Sequence, residues 1–286
     1  MRGRTIDILK EATEKGYAVG AFNTSTMELT QGIVWAAKES NRSCIIQITP
    51  STIKYAGAKV IGALVKAVIE NESKDARIGF HLDHGKNFDD VVIAIDEIGV
   101  DSVMIDASTK DLEKNISITK RVVDYAHERN VAVQAELGRV PYVGRDGQEV
   151  DWETVMTDPE DAKRLVEETG VDALAVGIGN AHGFFRERPV PDWKRLEDIK
   201  KKIPNIPLIM HGASDWDKNK VKEAVTRGIV CFNVDTDIRL AFISALCGET
   251  LKCEFTDPRK ALGISREAVQ HKVVEKIEMF YNATYS

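Results

Sequence analysis

Three short stretches each place a histidine beside glycine: HLDHG at 81–85, GNAHG at 179–183 and HGAS at 211–214. Imidazole is neutral near pH 7 and offers a nitrogen lone pair, and three imidazoles with one open position form the ligand set of a catalytic Zn2+. His84, His182 and His211 are the candidates. A single histidine after a strand is ordinarily a hydrogen-bonded loop residue, so the reading rests on the three occurring together. Asp83 directly precedes one proposed ligand and is placed to act as a general acid or base on whatever the metal polarises. Asp106, in MIDAS at 104–108, and Glu136, in AELGRV at 135–140, either orient the imidazoles or form an alternative metal position. His81 alternates with Asp83 and faces the interior or supports a ligand. His127 and His271 sit in charged helical contexts and read as solvent-facing.

These residues converge only if the chain brings distant segments together. Eight short apolar runs read as strands: 17–23, 44–49, 77–83, 101–107, 131–137, 173–179, 207–212 and 229–235. Amphipathic stretches lie between them, several with acidic starts and a closing glycine. Near-continuous apolar strands alternating with helices imply a parallel sheet covered on both faces. Eight such units of about thirty residues fit a closed (β/α)8 TIM barrel. An open doubly wound sheet fits less well, because the first strand runs into NTSTMELT and not into a glycine-rich dinucleotide fingerprint. An extra N-terminal helix near Thr5 to Lys15 is expected to close the barrel floor. A C-terminal helical extension near Ser265 to Tyr281 is expected to pack on a neighbour. No linker or change of composition divides residues 1–286, so one domain is expected.

In such a barrel the carboxyl ends of all eight strands open into one mouth. In chain order those ends carry Asn23, Thr49, Asp83 with His84, Asp106, Glu136, His182, His211, and Asn233 with Asp235. Loops after strands seven and eight commonly hold phosphate. Here Gly183 and Gly212 free the backbone, Ser214, Asn233 and Thr236 donate hydrogen bonds, and Arg186 adds charge. None of the eight strands contains a lysine, which removes a Schiff-base mechanism and leaves the metal as the electron sink.

Composition narrows the partners. The chain has 286 residues, 43% apolar, enough for a large core. A net charge of −6 argues against nucleic acid and anionic membranes and favours a small-molecule partner. The first residues lack a signal-peptide core, and no apolar run is long enough to span a membrane, so a cytoplasmic location is expected. Cys44 and Cys231 lie in strand-like runs, and Cys247 and Cys253 lack metal-site spacing; reduced thiols are expected.

HLDHG, MIDAS, AELGRV, GNAHG, HGAS and NVDTD, in that order and at barrel spacing, resemble the class II, zinc-dependent ketose-bisphosphate aldolase family over nearly the whole chain. The resemblance implies reversible aldol cleavage of a phosphorylated ketose of the fructose or tagatose 1,6-bisphosphate type, giving dihydroxyacetone phosphate and an aldehyde. It implies His84, His182 and His211 as ligands of one catalytic Zn2+, Asp83 as proton donor to the leaving aldehyde oxygen, and Glu136 and Asp106 near a secondary metal position. Gly183, Gly212, Ser214, Asn233, Asp235 and Thr236 would surround the dihydroxyacetone-phosphate-like group, with a monovalent cation near the two glycines, in a homodimer or homotetramer. The chain departs from the family after AELG: residues 138–150 read GRVPYVGRDGQEV where a glycine pair and an acidic pair are usual. Asp146 or Glu149 would have to supply the missing base, and neither is carried over by the motif. HGASD is similar to the tagatose branch and NVDTDIRLAF to the fructose branch. Three other readings stand beside this one: action on another phosphorylated keto-sugar or keto-sugar acid, metal-dependent hydrolysis, and a non-catalytic sugar-phosphate-binding relative. Hydrolases on this barrel often use an HxH pair on strand one, which ends here in AFNTS.

Overall fold

The computed structural model describes residues 3–141, 150–182, 190–212, 214–250 and 257–284. Eight parallel strands close into a barrel in sequence order, with the last strand paired to the first. The strands are β1 (Val19–Asn23), β2 (Cys44–Ile48), β3 (Ile78–Gly85), β4 (Ser102–Ile105), β5 (Ala132–Leu137), β6 (Ala173–Val176), β7 (Leu208–Met210) and β8 (Ile229–Val234). All eight expected strands form, most of them trimmed by one to three residues at an end.

Several helices begin where the sequence supplies caps. α1 (Thr5–Lys15) and α2 (Met27–Ser40) precede and follow β1; α3 (Pro50–Ala56) and α4 (Ala58–Glu72) follow β2. After β3 come α5 (Phe88–Val92) and a π-helical turn over Ile93–Ile98, then α6 (Leu112–His127) after β4. α7 (Trp152–Val155) and α8 (Pro159–Thr169) follow β5, α9 (Trp193–Lys202) follows β6, and α10 (Lys218–Thr226) follows β7. α11 (Thr236–Thr250) and α12 (Pro258–Tyr281) complete the chain. Side chains of Thr26, Asn87, Asp111 and Asp217 accept from backbone N–H groups in the first turns of α2, α5, α6 and α10, satisfying donors that the helix leaves open.

The outer core lies between the strands and the helix ring, and a second apolar cluster fills the lower barrel with Val19, Ala21, Ile45, Met104, Ala175, Ile209 and Cys231. Ile8, Leu9 and Ala12 of α1 join this cluster, so the amino-terminal helix seals the floor as its pattern implies. Gly79 belongs to this junction: a Cβ there would come 2.3 Å from the Thr5 hydroxyl oxygen. α12 is longer than expected, starting at Pro258 behind an Asp257 cap. Its apolar side chains Val269, Val273, Ile277 and Phe280 are buried within this chain, and α12 packs chiefly along α2 and α11. Among the described residues no helix is long and apolar enough to cross a membrane. Cys44 and Cys231 are buried free thiols and Cys247 is exposed; Cys253 lies outside the described residues.

Candidate metal centre and active site

Polar side chains collect at the carboxyl ends of the strands, above the apolar cluster. Neighbouring residues of a regular strand point to opposite faces. β3 breaks that rule at its end, where His84 takes φ 50° and the register against β4 shifts between Leu82 and Gly85. The irregularity lets consecutive residues share the mouth, with Asp83 Oδ1 3.9 Å from His84 Nε2.

His182 and His211 arrive from the ends of β6 and β7. Gly212, at φ 65°, makes their approach possible, because a Cβ there would lie 2.3 Å from the Ala181 carbonyl oxygen. One nitrogen from each of His84, His182 and His211 lies within 4.8 Å of the other two. His211 Nδ1 stands 3.0 Å from His84 Nε2. The opposite nitrogen of His84, Nδ1, is 3.0 Å from Asp106 Oδ2. Asp106 is itself fixed by Lys86 Nζ at 2.9 Å and by the Ser108 hydroxyl at 2.7 Å. An oxygen of Glu136, together with Asp106 and His84, forms a second cluster of possible ligands, also within 4.8 Å.

Asp83 is held from both sides. Asn23 Nδ2 donates to Oδ2 at 2.8 Å and Asn233 Nδ2 to Oδ1 at 3.2 Å. Gln47 joins the same buried network, donating to Asn23 Oδ1 at 2.8 Å. Gln134 Nε2 is 2.8 Å from His211 Nε2, and Asn180 Nδ2 donates to the His211 carbonyl at 2.9 Å. His81 faces the interior, as its alternation with Asp83 implies, with Nδ1 2.9 Å from the Ser102 hydroxyl.

The ionisation pattern follows from burial and neighbouring charge. Burial works against a charged His84, but the carboxylates of Asp83, Asp106 and Glu136 outweigh it and raise its pKa to about 9. Burial, with the charge on His84, pushes His182 down to about 3 and His211 well below the ordinary imidazole value. Burial opposes an ionised Asp83, yet the positive charge on His84 and the Asn23 amide leave its pKa lowered. Burial raises Glu136 to about 7. The mouth therefore holds two neutral imidazoles, and a third that gathers positive charge in a field of carboxylates. That donor set suits a divalent cation. The buried Oε2 of Glu136, which has no hydrogen-bond partner among the described residues, is a further oxygen facing this cluster.

Other expected site residues sit differently. Thr49 accepts from Thr52 N as the cap of α3 and bonds the Ser51 hydroxyl at 2.7 Å. Asp235 pairs with Arg239 at 2.7 Å, and Thr236 opens α11. Ser214 is buried, its carbonyl accepting from Lys276 at 2.6 Å. Gly183, Arg186, Asp146 and Glu149 lie outside the described residues. His127 is half-exposed and paired with Asp172 at 2.8 Å, and His271 is exposed, in line with the sequence reading. Gln47, Gln134, Asn180 and Lys276 were not anticipated. A sequence signal existed for the two glutamines: each is an amide inside an otherwise apolar strand, CIIQI and AVQAEL, where burial demands a partner.

Comparison with known proteins identifies the relatives of this arrangement. The family model described as fructose-bisphosphate aldolase class-II matches residues 3–284. A fructose-bisphosphate aldolase from Thermus caldophilus is 40% identical, over 96% of each chain. A probable fructose-bisphosphate aldolase from Bacillus subtilis is 37% identical, covering 96% of this chain and 95% of its own. Among solved structures, the YdjI aldolase from Escherichia coli K12 superimposes with a TM-score of 0.87 at 28% identity, covering 100% of this chain and 99% of its own.

Proposed function

The chain belongs to the class-II fructose-bisphosphate aldolase family, and from that premise we propose how its residues divide the reaction. The activity is reversible aldol cleavage of a ketose bisphosphate to dihydroxyacetone phosphate and an aldehyde. Such enzymes depend on a metal ion, and here the ion is Zn2+, held by His84, His182 and His211. The observation that carries this reading is the convergence of three imidazole nitrogens within 4.8 Å, from the ends of three different strands. When bound, the ion supplies Lewis acidity to the substrate oxygens and stabilises negative charge that develops at the carbonyl.

The chain's own groups do the rest. Asp83, ionised and fixed by Asn23 and Asn233, accepts the proton of the hydroxyl beyond the breaking bond and returns it to the aldehyde oxygen in condensation. Asp106 orients His84 through Nδ1, leaving Nε2 for the ion. Gln134 holds His211 from the other side of its ring, at Nε2, leaving Nδ1 for the ion. Glu136 and Asp106 offer a secondary metal position next to the first. Ser214, Asn233, Asp235 and Thr236 surround the phosphate end with Gly212. The family resemblance assigns Gly183 to the same phosphate end, with a monovalent cation near the two glycines, and Arg186 would add positive charge to it. Asn23 ends β1, the strand paired with β8, and Thr49 follows β2 on its other side. The base that moves the carbon-bound proton comes from the 142–149 segment, with Asp146 and Glu149 as candidates. The enzyme works as a homodimer or homotetramer in the cytoplasm.

A panel of phosphorylated ketoses, assayed before and after chelation and after return of zinc, tests the assignment. Cleavage that stops on chelation and returns with zinc supports it. Full turnover after exhaustive metal removal refutes it.

A further inference from the structure

α12 carries a lysine that the reaction scheme does not use. Lys276 is only 4% exposed. Its Nζ donates to the Ser214 carbonyl at 2.6 Å and pairs with Asp237 Oδ2 at 2.5 Å. Ser214 belongs to the loop after β7, and Asp237 to the first turn of α11 after β8. One buried ammonium group thus joins the two loops proposed to hold phosphate, from a helix that packs chiefly along α2 and α11. α12 is itself anchored close by: Phe280, one turn further on, stacks on Phe232 of β8 at 4.7 Å between centroids.

Burying a charge is costly, and replacing a buried ion pair with apolar residues of like volume is often neutral or stabilising. Packing alone would therefore be served by leucine or methionine at this position. What lysine adds is placement. A trans peptide unit is planar with its C=O and N–H pointing in opposite directions, so drawing the Ser214 carbonyl toward α12 turns the following N–H away from that helix. Lys276 also neutralises the carboxylate of Asp237, which would otherwise repel an anion near the start of α11. From these contacts we infer that Lys276 is a positioning residue for phosphate, locking the loops after β7 and β8 into one binding geometry. The inference rests on the proposed phosphate side of the site.

The test compares the full-length enzyme with Lys276→Met, Lys276→Arg and the double variant Lys276→Met/Asp237→Leu, the last removing the carboxylate left unpaired. KM and kcat for the ketose bisphosphate, competitive inhibition by inorganic phosphate, bound zinc and melting temperature are measured for each. Lys276→Met is expected to raise both KM and the phosphate inhibition constant at least about fivefold, with kcat and zinc near wild type, since phosphate is held equally in the ground and transition states and its loss appears in KM. Lys276→Arg should recover most of that loss, and the double variant should regain melting temperature without regaining phosphate affinity. KM and phosphate inhibition within about twofold of wild type in a folded Lys276→Met, or in the double variant, would overturn the role. Absence of phosphate inhibition in the wild-type enzyme would instead overturn the phosphate side of the site, and the inference with it.

Discussion

At the floor of the barrel the carboxylate of Asp101 accepts one hydrogen bond from Thr5 N at 2.6 Å and another from Phe80 N at 2.7 Å. At the mouth the buried carboxylate of Glu136 receives a long bond from Val140 N at 3.4 Å, and among the described residues its Oε2 has no hydrogen-bond partner. The floor carboxylate is satisfied by backbone that the fold provides, so it ties α1 and β3 together. The mouth carboxylate is left wanting a proton or a cation. Like groups at opposite ends of one barrel thus serve stability at one end and binding at the other, as the barrel architecture leads one to expect.

The contrast breaks most visibly at the histidines. His84→Ala or His211→Ala should remove stoichiometric zinc and lower kcat/KM by about 10³-fold or more while the barrel still folds, because the ion supplies several kcal/mol of charge stabilisation. Elemental analysis with kinetics checks this, and unchanged turnover after zinc is lost would defeat the ligand assignment. Asp83→Ala should cost about 10²- to 10⁴-fold in kcat with zinc retained, the range of a lost proton-transfer group. A large loss of metal would make Asp83 a ligand instead. Asp101→Ala should do the reverse: denaturant unfolding should show a loss of about 2–4 kcal/mol from two stranded buried N–H groups, with zinc content and kcat of the folded enzyme unchanged.

The smallest effect is also at the floor. Hydrogen bonds from Lys15 and Arg77 lower Glu11 from 4.5 to about 2. Because the folded-state pKa lies below the unfolded one, its contribution is present above pH 4.5 and fades as the pH falls toward 2. Glu11→Gln should cost about 0.5 kcal/mol at pH 7, as befits a partly exposed pair. The difference from wild type should vanish by about pH 2.

Much of the fold was legible. β-branched runs such as CIIQI and IVCFNV stand out against capped, amphipathic helices, and both signals are local. The amino-terminal helix was readable as a floor because Ile8, Leu9 and Ala12 share one face. α3 is less legible, since the seven residues Pro50–Ala56 behind the Thr49 cap carry little apolar periodicity. The extension of α12 to Pro258 is harder to read, because Gly263 within its second turn is a poor helix former and interrupts the pattern.

The sequence by itself determined which residues could do chemistry: three imidazoles, a carboxylate beside one of them, and no strand lysine. Strand periodicity also implied that they share one end of the barrel. Only the tertiary structure decided which atoms meet. Asp106 takes Nδ1 of His84, Gln134 meets His211, and Asp83 and His84 share a face through an irregular strand end. Lys276 reaches two loops from a helix that begins 24 residues after β8 ends at Val234 and Pro258 opens α12. The physical reason is range: hydrophobic period and capping act over a few neighbouring residues, whereas hydrogen-bond partners in a closed barrel are set by register, local kinks and side-chain reach across strands far apart in the chain.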